Sequence, residues 1–310
     1  MAAQDALALE SLPPTLHPLS PPPTTMKKIL FALCFMAASQ SVYAESGLWY
    51  GVDATHDFNK RLALEFSIGS RIEDGWSKYT RYDVAGGLDW KALPWLKLGV
   101  GYDFIRDYSP EETTTKYYKD DPAQRVTGFN IDESYWRSKH RLFFDITGKL
   151  KCGRFTFALR ERYQFTHYAP IDNLKEYKYR YRQEYASPSE VPNPYLTAVM
   201  ADGSVRYFEL DPERTELESK AAKDKHYLRS RLSVEYDIRH CPLTPFASYE
   251  VANDLGCQLQ LVRQRAQAGL EYKVKKGHTL SLAYLYQHGE KEETGDADLH
   301  MLSLGYKFKF

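Results

Sequence analysis

From residue 47 onward, apolar and polar positions alternate along the chain in long runs. In "RLALEFSIGSRI", Leu62, Leu64, Phe66 and Ile68 share one face, and Ala63, Glu65, Ser67, Gly69 and Arg71 share the other. "LKLGVGYDF" sets Leu96, Leu98, Val100, Tyr102 and Phe104 against Lys97, Gly99, Gly101 and Asp103. The same period of two runs through "YTRYDVAGGLDW", "LRSRLSVEYDI" and "TLSLAYLYQ". Successive side chains of a strand point to opposite faces, so each run predicts a strand with one apolar and one polar face. Eleven segments qualify: 47–57, 61–72, 79–90, 96–107, 135–149, 154–167, 226–238, 245–252, 260–273, 278–288 and 299–310.

Most of these segments run about 10 to 14 residues, where an ordinary strand averages about five or six. A tilted strand needs about 9 to 11 residues to cross a bilayer. Aromatic residues gather near the segment ends, as they do at the two membrane interfaces. The pattern predicts an all-β fold, a transmembrane antiparallel up-and-down β-barrel of about 10–12 strands. A soluble β-sandwich would also alternate, but with shorter strands and fewer terminal aromatics.

The connections alternate in length. "DFNK", "KALPW", "LKCGR", "RHCPLTP" and "KVKKG" read as tight turns. Between them lie longer stretches at 73–78, 108–134, 168–225, 253–258 and 289–297. Short periplasmic turns and long extracellular loops are the barrel pattern. The longest loop contains a hairpin signal of its own, "YLTAVMADGSVRYFEL", with Asp202-Gly203 at the turn. The count is awkward, because bacterial single-chain barrels use even strand numbers. If the last strand ends in the periplasm, segment 47–57 starts outside the cell. The expectation is therefore ten strands without it, or twelve with one taken from a loop.

The N-terminus fits export. Lys27 and Lys28 precede the apolar run "ILFALCFMAA", and "SVYAES" follows it. Together they predict a signal peptide at 26–44 cleaved after Ala44. The Pro-rich residues 1–25 read as a disordered leader from a mis-called start, with Met26 the expected first residue. The barrel then spans 45–310. Mean hydropathy is −0.54, which argues against a helical membrane protein, and 41 basic residues balance 41 acidic ones. That balance gives no bulk electrostatic case for nucleic acid. "EYKYRYRQEY" (176–185) interleaves aromatics and cations, but reads better as an extracellular strand extension with an interfacial Tyr girdle.

The polar faces are rich in charge. Arg71, Arg81, Arg137, Lys139, Arg141, Arg160, Arg162, Arg229, Arg231, Arg263 and Arg265 are predicted to face the lumen. Glu65, Asp83, Asp103, Asp145, Glu235, Glu250 and Glu271 are predicted to face it with them. One reading fills a small bore with paired charges. The other lines a narrow anion path with arginine, as in anion-selective pores. The packed reading is preferred, since side chains can fill most of so small a bore. Cys152 and Cys241 sit in two tight turns and are a candidate disulfide, leaving Cys257 as a free thiol. No metal site and no cofactor are expected.

The ordered signatures Trp49, "SRI", "LKLGVGYDF", "LRERYQF", "LRSRLSVEYDI", "PFASYEV", "VRQRAQAGLEY", "LAYLYQ" and "HMLSLGYKF" resemble those of domain of unknown function 2490. This resemblance implies a Gram-negative, Bacteroides-like host and an outer-membrane barrel. It implies no known activity and supplies no catalytic residues. The 168–225 insertion looks larger than that family's usual loop.

Two functions remain open. The first is a non-enzymatic outer-membrane barrel, either a narrow porin-like pore or a surface structural or binding protein. The second is an outer-membrane enzyme, a surface protease or lipid-modifying hydrolase, using rim histidines among His167, His226, His288 and His300. No nucleophile motif accompanies them, so the non-enzymatic reading is preferred. The expected partners are outer-membrane lipid and lipopolysaccharide, and the barrel-assembly machinery during biogenesis; a monomer is expected. The C-terminal "SLGYKFKF" carries Ser303, Gly305, Phe308 and Phe310 in a polar-x-Gly-x-x-apolar-x-apolar pattern resembling the barrel-assembly signal. Deleting Phe310 is predicted to lower outer-membrane insertion in fractionated cells; unchanged insertion would remove the address reading.

Overall fold

All eleven predicted segments form strands, and together they close a barrel. The computed structural model describes residues 45–73, 76–117, 126–192, 195–199, 203–210, 214–291, 295–296 and 298–310. The leader, the predicted signal peptide and the cleavage point at Ala44 lie outside the described residues. Among the described residues every regular helix or strand element is a strand. The barrel wall consists of β1 (Glu45–Asp57), β2 (Leu62–Glu73), β3 (Lys78–Leu93), β4 (Leu96–Ser109), β7 (Tyr135–Cys152) and β8 (Phe155–Tyr168). It continues with β13 (Lys223–Tyr236), β14 (Leu243–Asp254), β15 (Gln260–Lys275), β16 (His278–Lys291) and β18 (Leu299–Lys309). Neighbours along the chain pair antiparallel, and β8 pairs with β13 across the longest insertion. The two-residue β17 (Gly295–Asp296) pairs antiparallel with the end of β16.

The expected even count is corrected to eleven. An odd number of alternating strands makes the first and last run in the same direction. Accordingly β1 pairs with β18 in parallel, from Glu45 opposite Leu299 to Thr55 opposite Lys309. That single parallel seam is the departure from an all-antiparallel wall. It satisfies the edge groups that an open ten-stranded sheet would leave unpaired. Phe310, just past β18, donates its N–H to the Thr55 carbonyl at 3.1 Å, so the seam continues to the last residue.

The long insertions hold more order than one hairpin. The predicted hairpin is present as β10 (Tyr195–Val199) and β11 (Val205–Leu210). Gly203 in its turn has φ +81°, a conformation that suits glycine; Asp202 lies outside the described residues. The hairpin joins β5 (Glu112–Tyr117), β6 (Val126–Asp132) and β9 (Ile171–Tyr185) in the order β10-β11-β9-β6-β5, and β12 (Arg214–Lys220) also pairs with β9. Residues 176–185 are thus the middle of a separate sheet. They also continue the wall: β9 follows β8 after two residues, and its partners β6 and β12 adjoin β7 and β13 in the same way, so the predicted strand extension is present as a sheet of its own.

Alternation sets the two faces of the wall. Phe66, Val84, Val100, Leu142, Phe157, Leu232, Leu280 and Leu304 point outward, each more than a third exposed. Such a continuous apolar exterior is far larger than the patches tolerated in water. Ser303, Gly305 and Lys307 line an interior cavity, while Phe308 and Phe310 stack at 5.0 Å with Phe310 62% exposed. The interior is crowded enough to require glycine. A Cβ on Gly101 would lie 2.3 Å from the Phe143 ring and 2.9 Å from the Gly86 carbonyl oxygen, and one on Gly305 would lie 2.3 Å from Ser281 Oγ.

Cys152, Cys241 and Cys257 are all free, which corrects the expected Cys152–Cys241 bridge. Cys152 ends β7, whereas Cys241 follows β13, and β8 runs between those two strands. Two strand spacings amount to about 9–10 Å, beyond the roughly 7 Å limit for bridged Cα atoms.

Two outcomes follow from this packing. Protein lacking residues 1–44, denatured without reductant, should titrate three thiols. Gly101→Val should destabilise the barrel by about 1–3 kcal/mol through overpacking, read as a lower temperature for loss of heat-modifiable gel mobility. Adding Phe143→Ala should restore only part of that loss, because the contact with the Gly86 carbonyl remains.

Candidate functional site in the barrel interior

The interior is built in layers, because each wall strand contributes every second residue. Nearest the long-insertion rim, Lys139, Gln164, Thr166 and Tyr168 are fully buried, with Ile105 and Met301 beside them. Leu285 and Leu299 complete an apolar cluster with Met301, and Trp49 packs against it. Tyr168 is ringed by cations: Lys139 and Lys223 lie 4.6 Å from its ring centroid and Arg137 5.3 Å. Arg137 also donates to the carbonyls of Ala169 at 2.9 Å and Ala221 at 2.7 Å. It therefore ties both ends of the longest insertion to the top of the bore.

Below this layer a single carboxylate organises the charge. Glu250, 3% exposed, lies 2.5 Å from Arg229, 2.9 Å from Arg160 and from Arg231, and 3.8 Å from Arg265. Four guanidinium groups share it. Arg229 and Arg265 are further held by the side-chain oxygens of Gln164 at 2.9 Å and Gln287 at 2.7 Å. On the adjoining strands β7 and β8, Asp145 takes a two-pronged contact from Arg162 at 2.6 Å, the geometry in which arginine binds carboxylates best. Asp103 accepts from Arg141 at 2.9 Å, and Asp107 takes Lys139 at 2.6 Å as well as Arg81. Arg71 pairs with Glu73 at 3.4 Å. Trp49 sits between Arg71 at 4.9 Å and Arg265 at 5.2 Å, so its ring faces two cations.

These groups surround a cavity of about 190 Å³ lined by eight arginines and by Asp83 and Asp103. The Nε atoms of Arg160 and Arg265 are buried without a hydrogen-bond partner. A second cavity of about 420 Å³ lies toward the tight-turn rim, lined by Asp53, Glu235, Glu271 and Lys307 among others. The two share Trp49, Asp83, Arg231 and Arg265 in their linings, and so adjoin. Glu271 is held by Lys307 at 2.6 Å, and Glu65 lies 3.6 Å from Lys97, which also binds Asp89.

The predicted lumen residues fall into three groups. Arg81, Asp83, Asp103, Arg141, Arg160, Arg162, Arg229, Arg231, Arg263 and Arg265 meet at the upper cavity. Arg71, Arg137 and Asp145 lie in the ion-pair layer around it. Glu65, Glu235 and Glu271 lie apart from them, lower in the bore. Sequence reasoning did not single out Asp107, Glu73, Gln164 or Gln287, although alternation from their predicted neighbours would have placed them inside.

The rim histidines are on the outer face. His226 contacts the Tyr163 hydroxyl at 2.8 Å, His167 contacts Asp224 at 2.7 Å, and His288 contacts Asp298 at 2.7 Å. His300 bonds the Tyr284 hydroxyl. Each ring nitrogen named here meets a phenol or a carboxylate rather than a nucleophile. In the separate sheet, Tyr179 stacks on Phe129 and Tyr181 on Phe208, at 4.8 and 4.4 Å. On the other face Lys178 bonds Glu216 and Glu176, and those two hydrogen bonds hold its ammonium above its usual range.

Two solved structures are similar in outline. The translocator domain of the autotransporter NalP from Neisseria meningitidis matches at 13% identity and a TM-score of 0.48, over 93% of this chain and 97% of that one. The outer membrane transporter YddB from Escherichia coli matches at 11% and 0.25, over 82% of this chain and 42% of that one. No curated protein matches. A family model matches residues 46–298, nearly the whole barrel, and on that basis the chain belongs to the family described as "Protein of unknown function (DUF2490)".

Proposed function

We propose that this protein is a non-enzymatic outer-membrane barrel with a closed, Arg-rich bore, serving as a surface structural and binding protein rather than a pore. The apolar exterior, the wall strands of 11 to 18 residues and the aromatic C-terminus support residence in a bilayer. Export by the predicted signal peptide would deliver it to the outer membrane of a Gram-negative cell.

The observation that carries the closed reading is the buried layer near the long-insertion rim. Lys139, Gln164, Thr166 and Tyr168 have no exposure, and neither do Ile105 and Met301 on other strands. A water-filled path would leave some of these side chains wet. The separate sheet, with one aromatic and one charged face, is then the part offered to the cell's surroundings. The rim histidines His167, His226 and His288 point outward and meet a carboxylate or a phenol, which supports the non-enzymatic reading.

Purified full-length barrel in planar bilayers should give no unitary current steps. Regular steps of constant size would sink the closed-bore reading. Cation selectivity in those steps would also remove any role for the arginines as an anion path.

A further inference from the structure

The interior charge is unevenly distributed. Around Glu250, one carboxylate serves four guanidinium groups, Arg160, Arg229, Arg231 and Arg265. A carboxylate balances one positive charge, so this hub carries a local surplus. Burying charge without compensation is costly, and a surplus held in a narrow bore draws in a counter-ion. Two of the four also keep a buried Nε–H that no protein atom accepts, in Arg160 and in Arg265, the latter 8% exposed. Both border the 190 Å³ cavity.

We infer that this cavity is a binding site for a small multivalent oxyanion of the phosphate class. Resting on the closed-bore reading, the inference gives the interior a ligand rather than a passage. Guanidinium groups present rigid, paired donors that match phosphoryl oxygens, whereas chloride offers no geometry for them to match. A tetrahedral dianion would accept from the unpartnered Nε–H groups and offset the surplus left by Glu250. On the closed-bore reading the ligand reaches the site from the tight-turn side, past the adjoining 420 Å³ cavity, because the layer of Lys139, Gln164, Thr166 and Tyr168 is fully buried at the other end. The lower cavity does not compete for the anion. Asp53, Glu235 and Glu271 lie there, and Lys307 already neutralises Glu271.

The test is calorimetric titration of the full barrel in detergent micelles with inorganic phosphate and with pyrophosphate, in chloride buffer. Saturable binding near one site per chain is expected, tighter for pyrophosphate. Arg160→Gln and Arg265→Gln should each weaken it about tenfold or more, the usual worth of a hydrogen bond to a charged group. Boiled and unboiled gel mobility shows whether each variant is folded. Should either fail to fold, Arg231→Gln replaces it, since Arg231 is the most exposed of the four at 31%. No saturable binding by folded wild-type barrel up to about 10 mM of either anion, a range of negligible affinity, would overturn the site. Binding that the folded variants leave unchanged would overturn it equally. Current steps in the bilayer experiment would remove the closed-bore reading while leaving a positive titration standing.

Discussion

A charged group inside a narrow barrel must find its counter-charge within the bore. Glu250 shows how far that requirement reaches. Its carboxylate holds Arg160, Arg229, Arg231 and Arg265, which come from β8, β13 and β15. It therefore fixes the relative height of four strands, counting its own β14. Removing one partner of a buried pair costs about 3–5 kcal/mol, whereas a well-packed apolar replacement can be neutral. Such a hub is therefore better understood as a constraint on register than as a source of stability. A one-residue slip of any of these strands would send its arginine to the apolar exterior.

Backbone closure is the second constraint, and it explains the odd strand. No edge may remain open at membrane depth. With tight turns at one rim, β1 must run toward that rim, and β18 ends there. The parallel β1–β18 seam completes the hydrogen bonding at the price of the slightly weaker parallel pairing. The same first strand also carries Trp49 into the bore, between Arg71 and Arg265. β1 is thus needed twice, by the wall and by the interior, and could not be discarded to restore an even count.

What could be read in the sequence was whatever period two controls. Strand positions, the inward set from Arg71 to Arg265, and the outward Phe308 and Phe310 all follow from alternation within a strand. Glu250 was placed inside on the same basis, but its four partners come from three other strands, and pairing across strands depends on register. Alternation leaves register open. The parallel seam was hidden for a related reason: parity can be counted, but whether the first segment pairs with the last is a question of closure. In residues 176–185, alternating Tyr against Lys and Arg announced an extension of the preceding wall strand, but not that it would break at 169–170 and pair in a sheet of its own. The neighbours β6, β11 and β12 decide it. Cys152 and Cys241 looked close because their turns lie on one rim, yet β8 separates their strands.

These constraints divide the molecule by access. The buried layer beneath the long-insertion rim includes the fully enclosed ammonium of Lys139, balanced by Asp107. Opening that end would break this pair, and the contacts of Arg137 to Ala169 and Ala221 would hold the insertion against it. Among the described residues the fully buried side chains lie toward the other end, and the lining of the tight-turn cavity includes Arg231 and Arg265. An anion bound in the interior as proposed would exchange at the tight-turn rim, the end away from the separate sheet. The separate sheet joins the wall through short links at 110–111, 133–134, 169–170 and 221–222, and Arg137 bonds the carbonyls of Ala169 and Ala221 in two of them, so one interior side chain holds the insertion where it leaves the bore.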